Sequence, residues 1–133
     1  MKLHRYKKSL QEIGISFVRM FQKNKIVRYS TVISSLFLLG TFFLPVWRIL
    51  PLAKDVPYIA LHYNIYLGVD RFGPVNAILY LPAIGLFFLL LNLFIQARSY
   101  KLQKTLSLFF AASTPLLEFI LFVAMVLIVL INV

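Results

Sequence analysis

The chain of 133 residues contains no cysteine, which excludes disulfides, thiolate metal ligands and cysteine nucleophiles. Histidine and acidic residues are also scarce, with two of the first and four of the second. Metal centres and acid–base sites are built mainly from these residue types. The sequence has no glycine-rich phosphate loop, paired carboxylates or histidine-flanked serine. We therefore expect a protein that is not an enzyme and that uses no metal or other cofactor.

Charged residues are almost absent from three long apolar stretches, Ser30–Trp47, Pro74–Gln96 and Leu106–Val133, in which Glu118 is the single formal charge. A helix crosses about 30 Å of hydrocarbon with roughly 20 residues, and each stretch is close to that length or longer. The mean hydropathy of +0.87 is also far above that of a soluble domain. The sequence predicts an all-α membrane protein whose transmembrane domain, residues 29–133, has spans at about residues 30–48, 74–96 and 106–131.

The segment before the first span, residues 1–28, is polar and basic and lacks a cleavable signal pattern, so we expect the first span to remain in the mature protein. Apolar residues recur there every three or four positions, and mostly basic residues fall between them. This period predicts an amphipathic cytoplasmic helix that lies in the headgroup plane, with docking to a partner as the alternative. Its apolar stripe is Leu3, Tyr6, Leu10, Ile13, Phe17 and Phe21.

The net charge of +10 is unevenly distributed along the chain. Eight of the fourteen basic residues precede the first span, and three lie in each of the two connections between spans. An excess of basic residues marks the cytoplasmic side, which predicts a cytoplasmic N-terminus and an outer C-terminus. The basic residues are therefore expected to contact anionic lipid at the cytoplasmic face rather than nucleic acid.

The outer connection between the first two spans is rich in aromatic residues and is predicted to be ordered. Pro51 and Pro57 are expected to end the first helix, and Tyr58–Tyr66 has the composition of an extended strand. Leu67–Asp70 is predicted as a turn, and Pro74 as the start of the second span. We expect this loop to fold back over the outer ends of the helices.

Glu118 is the principal candidate for an intramembrane site, because a carboxylate at mid-bilayer is costly unless it is protonated or paired. Thr114 precedes it by one helical turn, and Thr41 and Tyr80 are predicted at a similar depth, with Arg48 in reach from the outer interface. Three interpretations remain open: a neutral, hydrogen-bonded acid that joins helices, an ion pair with Arg48 or another outer cation, and a proton- or substrate-linked carboxylate.

The depth of Glu118 depends on Pro115. If this proline starts a separate helix, residues 116–133 span about 27 Å by themselves, and Glu118 lies in the inner interface. In that case the cost of its charge largely disappears.

The outer loop holds a second candidate binding site, formed by His62, Tyr63, Asn64 and Asp70. Histidine and aspartate can bind a metal or a polar ligand, but the chain has too few such residues for a three- or four-ligand metal site. The structural interpretation is that Asn64 and Asp70 cap turns while His62 bonds a backbone carbonyl. The functional interpretation is recognition of a peptide, a lipid or a partner at the outer face.

The order Leu61-His62-Tyr63-Asn64, then Gly68 and Asp70 ahead of a span, resembles a stretch found in small bacterial membrane proteins with three spans. It is also similar to a bacterial membrane domain of unknown function found in immunity-type proteins. The resemblance covers about fourteen residues and implies a bacterial inner-membrane location.

Taken without a structure, the sequence predicts a non-catalytic accessory or interaction subunit of a bacterial membrane assembly. Three helices make a thin bundle, so a protein partner or a homo-oligomer is expected. One alternative is a proton- or substrate-coupled transport component that uses Glu118 within an oligomer. The other is an outer-face sensor or immunity-type protein that acts through the loop residues.

Overall fold

The computed structural model describes the backbone of residues 2–54 and 56–133 and the side chains of residues 11–52 and 56–133. Three of its helices are long and apolar enough to span a membrane, which confirms the three predicted stretches as helices. The elements in chain order are α1 (Lys2–Lys23), α2 (Lys25–Arg48), a 3₁₀ helix (Leu50–Lys54), β1 (Tyr58–Asn64), β2 (Gly68–Pro74), a second 3₁₀ helix (Val75–Leu79), α3 (Tyr80–Ser99) and α4 (Lys104–Asn132).

A break at Asn24 separates the basic N-terminal segment from the first spanning helix. The Asn24 side chain accepts a hydrogen bond from the Ile26 backbone N–H at 3.0 Å, which is the usual capping geometry for the start of a helix. Because of this cap, α2 begins at Lys25, a few residues before the apolar stretch that starts at Ser30.

The chain divides into two compact units, each with its own core. The first unit consists of Met1–Ser35 and Phe87–Leu116, and the second of Leu36–Leu86 and Leu117–Val133. The core of the first unit consists of Met20, Val27 and Ala111, against which partly buried Phe17, Tyr100 and Leu108 pack.

In the first unit, one face of α1 packs against protein. Ser16 and Met20 are buried, while Ile13 and Phe17 of the predicted stripe are half-buried and Val18 is exposed. Phe21, the last residue of the stripe, is also half-buried, and the side chains of Leu3, Tyr6 and Leu10 lie outside the described residues. The predicted position of α1 in the headgroup plane therefore stays a prediction.

Polar side chains join the ends of α3 and α4 in the first unit. The buried Ser107 hydroxyl donates to the Gln96 carbonyl at 3.2 Å and lies 3.6 Å from the Met20 sulfur. The short connection after Ser99 therefore brings the end of α3 beside the start of α4, as expected for antiparallel neighbours.

The second unit is built around a core that the connection between α2 and α3 helps to close. Its fully or nearly buried members are Ile49, Ile59, Val75, Ile78, Met125 and Val129. Ile59 comes from β1, so the base of the loop packs on helical residues, as the predicted folded-back loop requires. The loop is a two-stranded antiparallel sheet.

The predicted turn at Leu67–Asp70 is wrong. Chain reversal occurs at residues 65–67, and Gly68 already belongs to β2. Asn64 pairs with Gly68, and Gly68 has a φ of +74°, a left-handed conformation that favours glycine after a three-residue hairpin loop. The glycine therefore ends the loop and is not inside it.

Candidate functional site

Glu118 lies at the middle of one continuous helix. α4 runs from Lys104 to Asn132 with Pro115 inside it, so the alternative of a separate helix that begins at Pro115 is wrong. At about 1.5 Å per residue, Glu118 is roughly 21 Å along the axis from either end of α4. The carboxyl group therefore belongs to the centre of an apolar helix and not to its margin.

The first unit compensates for the proline. Pro115 has no backbone N–H, so it cannot donate to the carbonyl of Ala111, four residues earlier. The Ser30 hydroxyl of α2 donates to this carbonyl instead. Such a replacement bond is what allows a proline to remain inside a helix in a lipid environment.

Thr114 is engaged in the same unit. Its hydroxyl donates to the Phe110 carbonyl at 2.6 Å and accepts a hydrogen bond from the Asn92 amide at 3.1 Å. Thr114 and Asn92 are both buried, and their bond links α3 to α4. The structure thus assigns Thr114 to helix packing and gives it no bond with Glu118.

In the second unit, Glu118 is completely buried and points at Gly85 of α3. A Cβ atom at Gly85 would lie 2.9 Å from Glu118 Oε2, 3.0 Å from Leu38 Cδ1 and 3.3 Å from Leu121 Cδ1. The absence of a side chain at position 85 therefore makes the space that the carboxyl group fills. The other two atoms closest to this point are leucine methyl carbons.

Neither Glu118 oxygen has a hydrogen-bond partner among the described residues. The carboxyl group is also 0% exposed. A carboxyl group in this condition is costly, and in membrane proteins such groups commonly mark function.

The other residues predicted to surround Glu118 do not converge on it. Thr41 is buried, but its hydroxyl donates to the Phe37 carbonyl of its own helix at 2.9 Å. Tyr80 is 71% exposed. Arg48 is exposed and its guanidinium lies 5.2 Å from the centre of the Trp47 ring. The predicted ion pair between Glu118 and Arg48 is therefore not formed, and neither is the predicted hydrogen bond that would join helices.

An apolar groove lies close to this carboxyl group within the second unit. Its volume is about 350 Å³, and it is formed by α2, the second 3₁₀ helix and α3. Leu38 lines it, and the same side chain lies beside Gly85 next to the Glu118 oxygen. Its lining includes Leu38, Leu39, Phe42, Pro82, Ala83 and Leu86.

The second candidate site lies on the hairpin, where two bulges set the directions of the side chains. Ala60 pairs with Phe72, but His62 pairs with Arg71 and Tyr63 with Val69. Leu61 and Asp70 are therefore extra residues on their strands, and a bulge of this kind redirects neighbouring side chains.

His62 and Asp70 bond to each other across the hairpin. The distance from His62 Nδ1 to Asp70 Oδ1 is 2.6 Å, and the pair is partly open to solvent. The predicted bond from His62 to a backbone carbonyl is thus replaced by a side-chain pair. Asn64 caps the turn as predicted, because its side chain accepts the Tyr66 N–H at 2.9 Å. Tyr63 is 54% exposed and lies on β1.

Asn132, at the end of α4, joins the hairpin to α4 within the second unit. Its amide accepts from the Ala60 N–H at 2.8 Å and donates to the Ala60 carbonyl at 2.7 Å. It also donates to the Ile128 carbonyl at 2.8 Å. Both outward-facing backbone groups of Ala60 are therefore satisfied, as they would be by a third strand.

The hairpin tip is apolar and projects from this fixed base. Ile65, Tyr66 and Leu67 are 81%, 91% and 76% exposed. We call these three residues the hairpin tip. They were not among the site residues predicted from the sequence, although three bulky apolar residues between a capping asparagine and a glycine are a usable signal.

Sequence reasoning also missed the roles of Ser30, Gly85 and Asn132. Ser30 and Gly85 have a signal in the sequence once proline chemistry and packing are considered. A serine on one span can bond the carbonyl that a proline frees on another, and a glycine can make space for a buried polar side chain.

Comparison with protein families, curated proteins and solved structures found no match for this chain.

Proposed function

We propose that this protein is a non-catalytic interaction subunit of a bacterial membrane assembly, and that it binds a protein partner through the hairpin tip. The observation that carries the proposal is the 91% exposure of Tyr66 between two other exposed apolar residues. A large apolar group fully in solvent is costly, and exposed apolar patches mark interaction surfaces.

The way the hairpin is held supports binding by a preformed element. The Asn64 cap orders the turn, and Asn132 holds the base of β1. An ordered loop loses little conformational entropy when it binds, and tyrosine is enriched at the energetic centres of interfaces.

The placement in the membrane forms part of the proposal. Eight basic residues precede Ser30 and three lie between residues 98 and 104, against three between the first two apolar stretches. This difference supports a cytoplasmic N-terminus, with the hairpin on the outer side. In that orientation the basic residues contact anionic lipid of the bacterial inner membrane, and α1 lies along the cytoplasmic interface.

Photo-crosslinking from two exposed tyrosine positions tests the partner. A photoreactive phenylalanine at position 66 should give one light-dependent adduct with another membrane protein, identified by mass spectrometry. The same group at position 80 serves as the matched control, because Tyr80 is also exposed but lies at the start of α3. An adduct with a second copy of this chain would indicate a homo-oligomer. Identical adducts from both positions, or none from position 66, would contradict docking through the tip.

A pair of substitutions separates the tip from the predicted site on the strands. Tyr66→Ser should lower the amount of crosslinked partner that co-purifies in mild detergent at least tenfold. Tyr63→Ser, on the same hairpin, should leave it unchanged. Loss in the Tyr63→Ser variant alone would favour the alternative of an outer-face sensor or immunity-type protein that uses His62, Tyr63, Asn64 and Asp70.

A second candidate function is transport of protons or a substrate by an oligomer that uses Glu118. The buried carboxyl group, which has no hydrogen-bond partner in the described part of the chain, favours this function, whereas three helices are too few to enclose a pathway alone. Proteoliposome flux should then be present with the wild type and lost with Glu118→Gln. Equal flux in the two preparations would exclude this role for Glu118.

A further inference from the structure

We infer that Glu118 and the adjacent apolar groove form a binding site for an amphiphilic amine, with the ammonium group at the carboxylate and the hydrocarbon tail in the groove. This inference does not depend on the docking role proposed for the hairpin tip. It assigns a ligand class to the groove and to Glu118, whose oxygens have no hydrogen-bond partner among the described residues.

The carboxylate supplies the polar half of the site. Glu118 is fully buried, and neither of its oxygens is bonded to a described residue. Arg48, the outer cation predicted to reach it, stacks on Trp47 instead. A buried carboxylate accepts hydrogen bonds and needs a positive charge close to it, and an ammonium group supplies both.

The groove supplies the apolar half. Its volume of about 350 Å³ falls within the range of small-molecule sites, and its lining residues are all apolar. Leu39, Phe42 and Leu86 are among the exposed hydrophobic residues, so the groove opens on the helix surface. A hydrocarbon tail can therefore enter it from the lipid side.

Leu38 connects the two halves. Its side chain lines the groove, and its Cδ1 methyl and Glu118 Oε2 both lie about 3 Å from the same point above Gly85, at 3.0 and 2.9 Å. A leucine side chain changes rotamer at low energetic cost compared with a movement of a helix. Rotation of Leu38 away from Gly85 would join the groove to the carboxylate.

The chemistry of the two halves selects among amphiphiles. A fatty acid would place a second carboxylate beside Glu118, and a fatty alcohol lacks the positive charge. A zwitterionic lipid carries its phosphate next to the amine, in surroundings that contain no described cation. A primary alkyl amine matches both halves.

The experiment measures binding of dodecylammonium to the purified full chain in phosphatidylcholine nanodiscs by calorimetry. Empty nanodiscs correct for partition into lipid, and dodecanol serves as the uncharged probe. We expect saturable binding of dodecylammonium to the wild type and none of dodecanol. Glu118→Gln should weaken binding at least tenfold, whereas Glu12→Gln, the same change at an exposed acid on α1, should leave it unchanged.

A second variant tests the groove without altering the carboxylate. Ala83→Trp fills the groove and should also weaken binding at least tenfold, with helix content and gel-filtration volume unchanged. This variant carries the test if Glu118→Gln does not fold. Absence of saturable binding, equal affinity of wild type and Glu118→Gln, retained affinity in folded Ala83→Trp, or equal binding of dodecanol would each overturn the inference.

Discussion

The hydrogen bond from Ser30 to the Ala111 carbonyl gives the sharpest stability prediction, because its contribution to the free energy of unfolding should depend on Pro115. The proline frees the carbonyl of Ala111, and the Ser30 hydroxyl donates to it from α2. We expect Ser30→Ala to destabilise the natural chain. We expect the same substitution to have little effect when Pro115 is replaced by alanine.

The magnitude follows from what each variant leaves unbonded. A typical hydrogen bond contributes about 0.5–1.5 kcal/mol to the free energy of unfolding, and measured bonds between helices in membranes average about 0.6 kcal/mol. Ala111 is 0% exposed, so its carbonyl has no access to water after the serine is removed. We therefore expect a loss of about 1 kcal/mol in the Pro115 background.

Pro115→Ala restores the backbone N–H that donates to Ala111 in a regular helix. The hydroxyl of Ser30 is then redundant, and its removal should cost nearly nothing. The double-mutant cycle should thus give a coupling free energy of about 1 kcal/mol between positions 30 and 115.

The assay is reversible unfolding in mixed micelles with increasing dodecyl sulfate, followed by circular dichroism. Ser34→Ala is the matched control, because Ser34 lies one turn later on α2 and is also 0% exposed, but its hydroxyl has no partner among the described residues. This control should show no loss and no coupling. Equal costs of Ser30→Ala with and without Pro115, or equal effects of Ser30→Ala and Ser34→Ala, would refute the reasoning.

Three further predictions concern the second unit. Glu118→Leu should raise the free energy of unfolding by about 1–3 kcal/mol in the same assay, because it replaces by hydrocarbon a buried carboxyl group that has no hydrogen-bond partner among the described residues. A lower free energy of unfolding would show that the carboxyl group is bonded. Gly85→Ala should lower the free energy of unfolding by about 1–3 kcal/mol, since the added Cβ would lie 2.9 Å from Glu118 Oε2. This loss should be smaller in a Glu118→Ala background, and an unchanged midpoint of unfolding would argue against the contact. Asn132→Ala removes the side chain that bonds both backbone groups of Ala60, so amide hydrogen exchange at Ala60 in β1 should become at least tenfold faster while exchange in α3 stays unchanged, as measured by mass spectrometry. Equal exchange in the two proteins would show that Asn132 does not hold the hairpin.

The three spanning helices were predictable because their signal is a property of composition. Long stretches without charge allow few structures other than a helix in lipid, where each backbone group must be bonded internally. The continuity of α4 through Pro115 was not predictable by this route. The carbonyl of Ala111 that the proline leaves free is bonded by the hydroxyl of Ser30, which lies 81 positions before Ala111 in sequence.

The hairpin was predicted in part. The aromatic and β-branched composition of residues 58–64 indicated a strand, and the structure has β1 there. The predicted turn places Gly68 in its interior, whereas in the structure Gly68 is the first residue of β2. The register is decided by two bulges and by the Asn64 cap, and these features depend on side-chain bonds that composition does not report.

The sequence predicted how far along each helix the neighbours of Glu118 lie, but not which of these residues face the carboxyl group. Helical rise places Thr41 and Tyr80 near the level of Glu118, but rise does not determine which face of each helix turns inward. The structure buries Thr41, leaves Tyr80 largely exposed and brings Gly85 to the carboxyl group. A small residue is the stronger indicator here, since a buried side chain needs space on the facing helix.

The stability and binding of Glu118 variants together distinguish a structural carboxyl group from one retained for a ligand. A structural group stabilises the fold, so its replacement by leucine must cost free energy whatever happens to binding. A group retained for a ligand lowers the stability of the free protein, as functional sites often do. The same comparison at Ser34 would not separate the two cases. The hydroxyl of a buried serine can rotate to donate to a carbonyl of its own helix, whereas a carboxylate only accepts hydrogen bonds. Higher stability of Glu118→Leu combined with loss of dodecylammonium binding would therefore show that the carboxyl group is retained for a ligand and not for the stability of the fold.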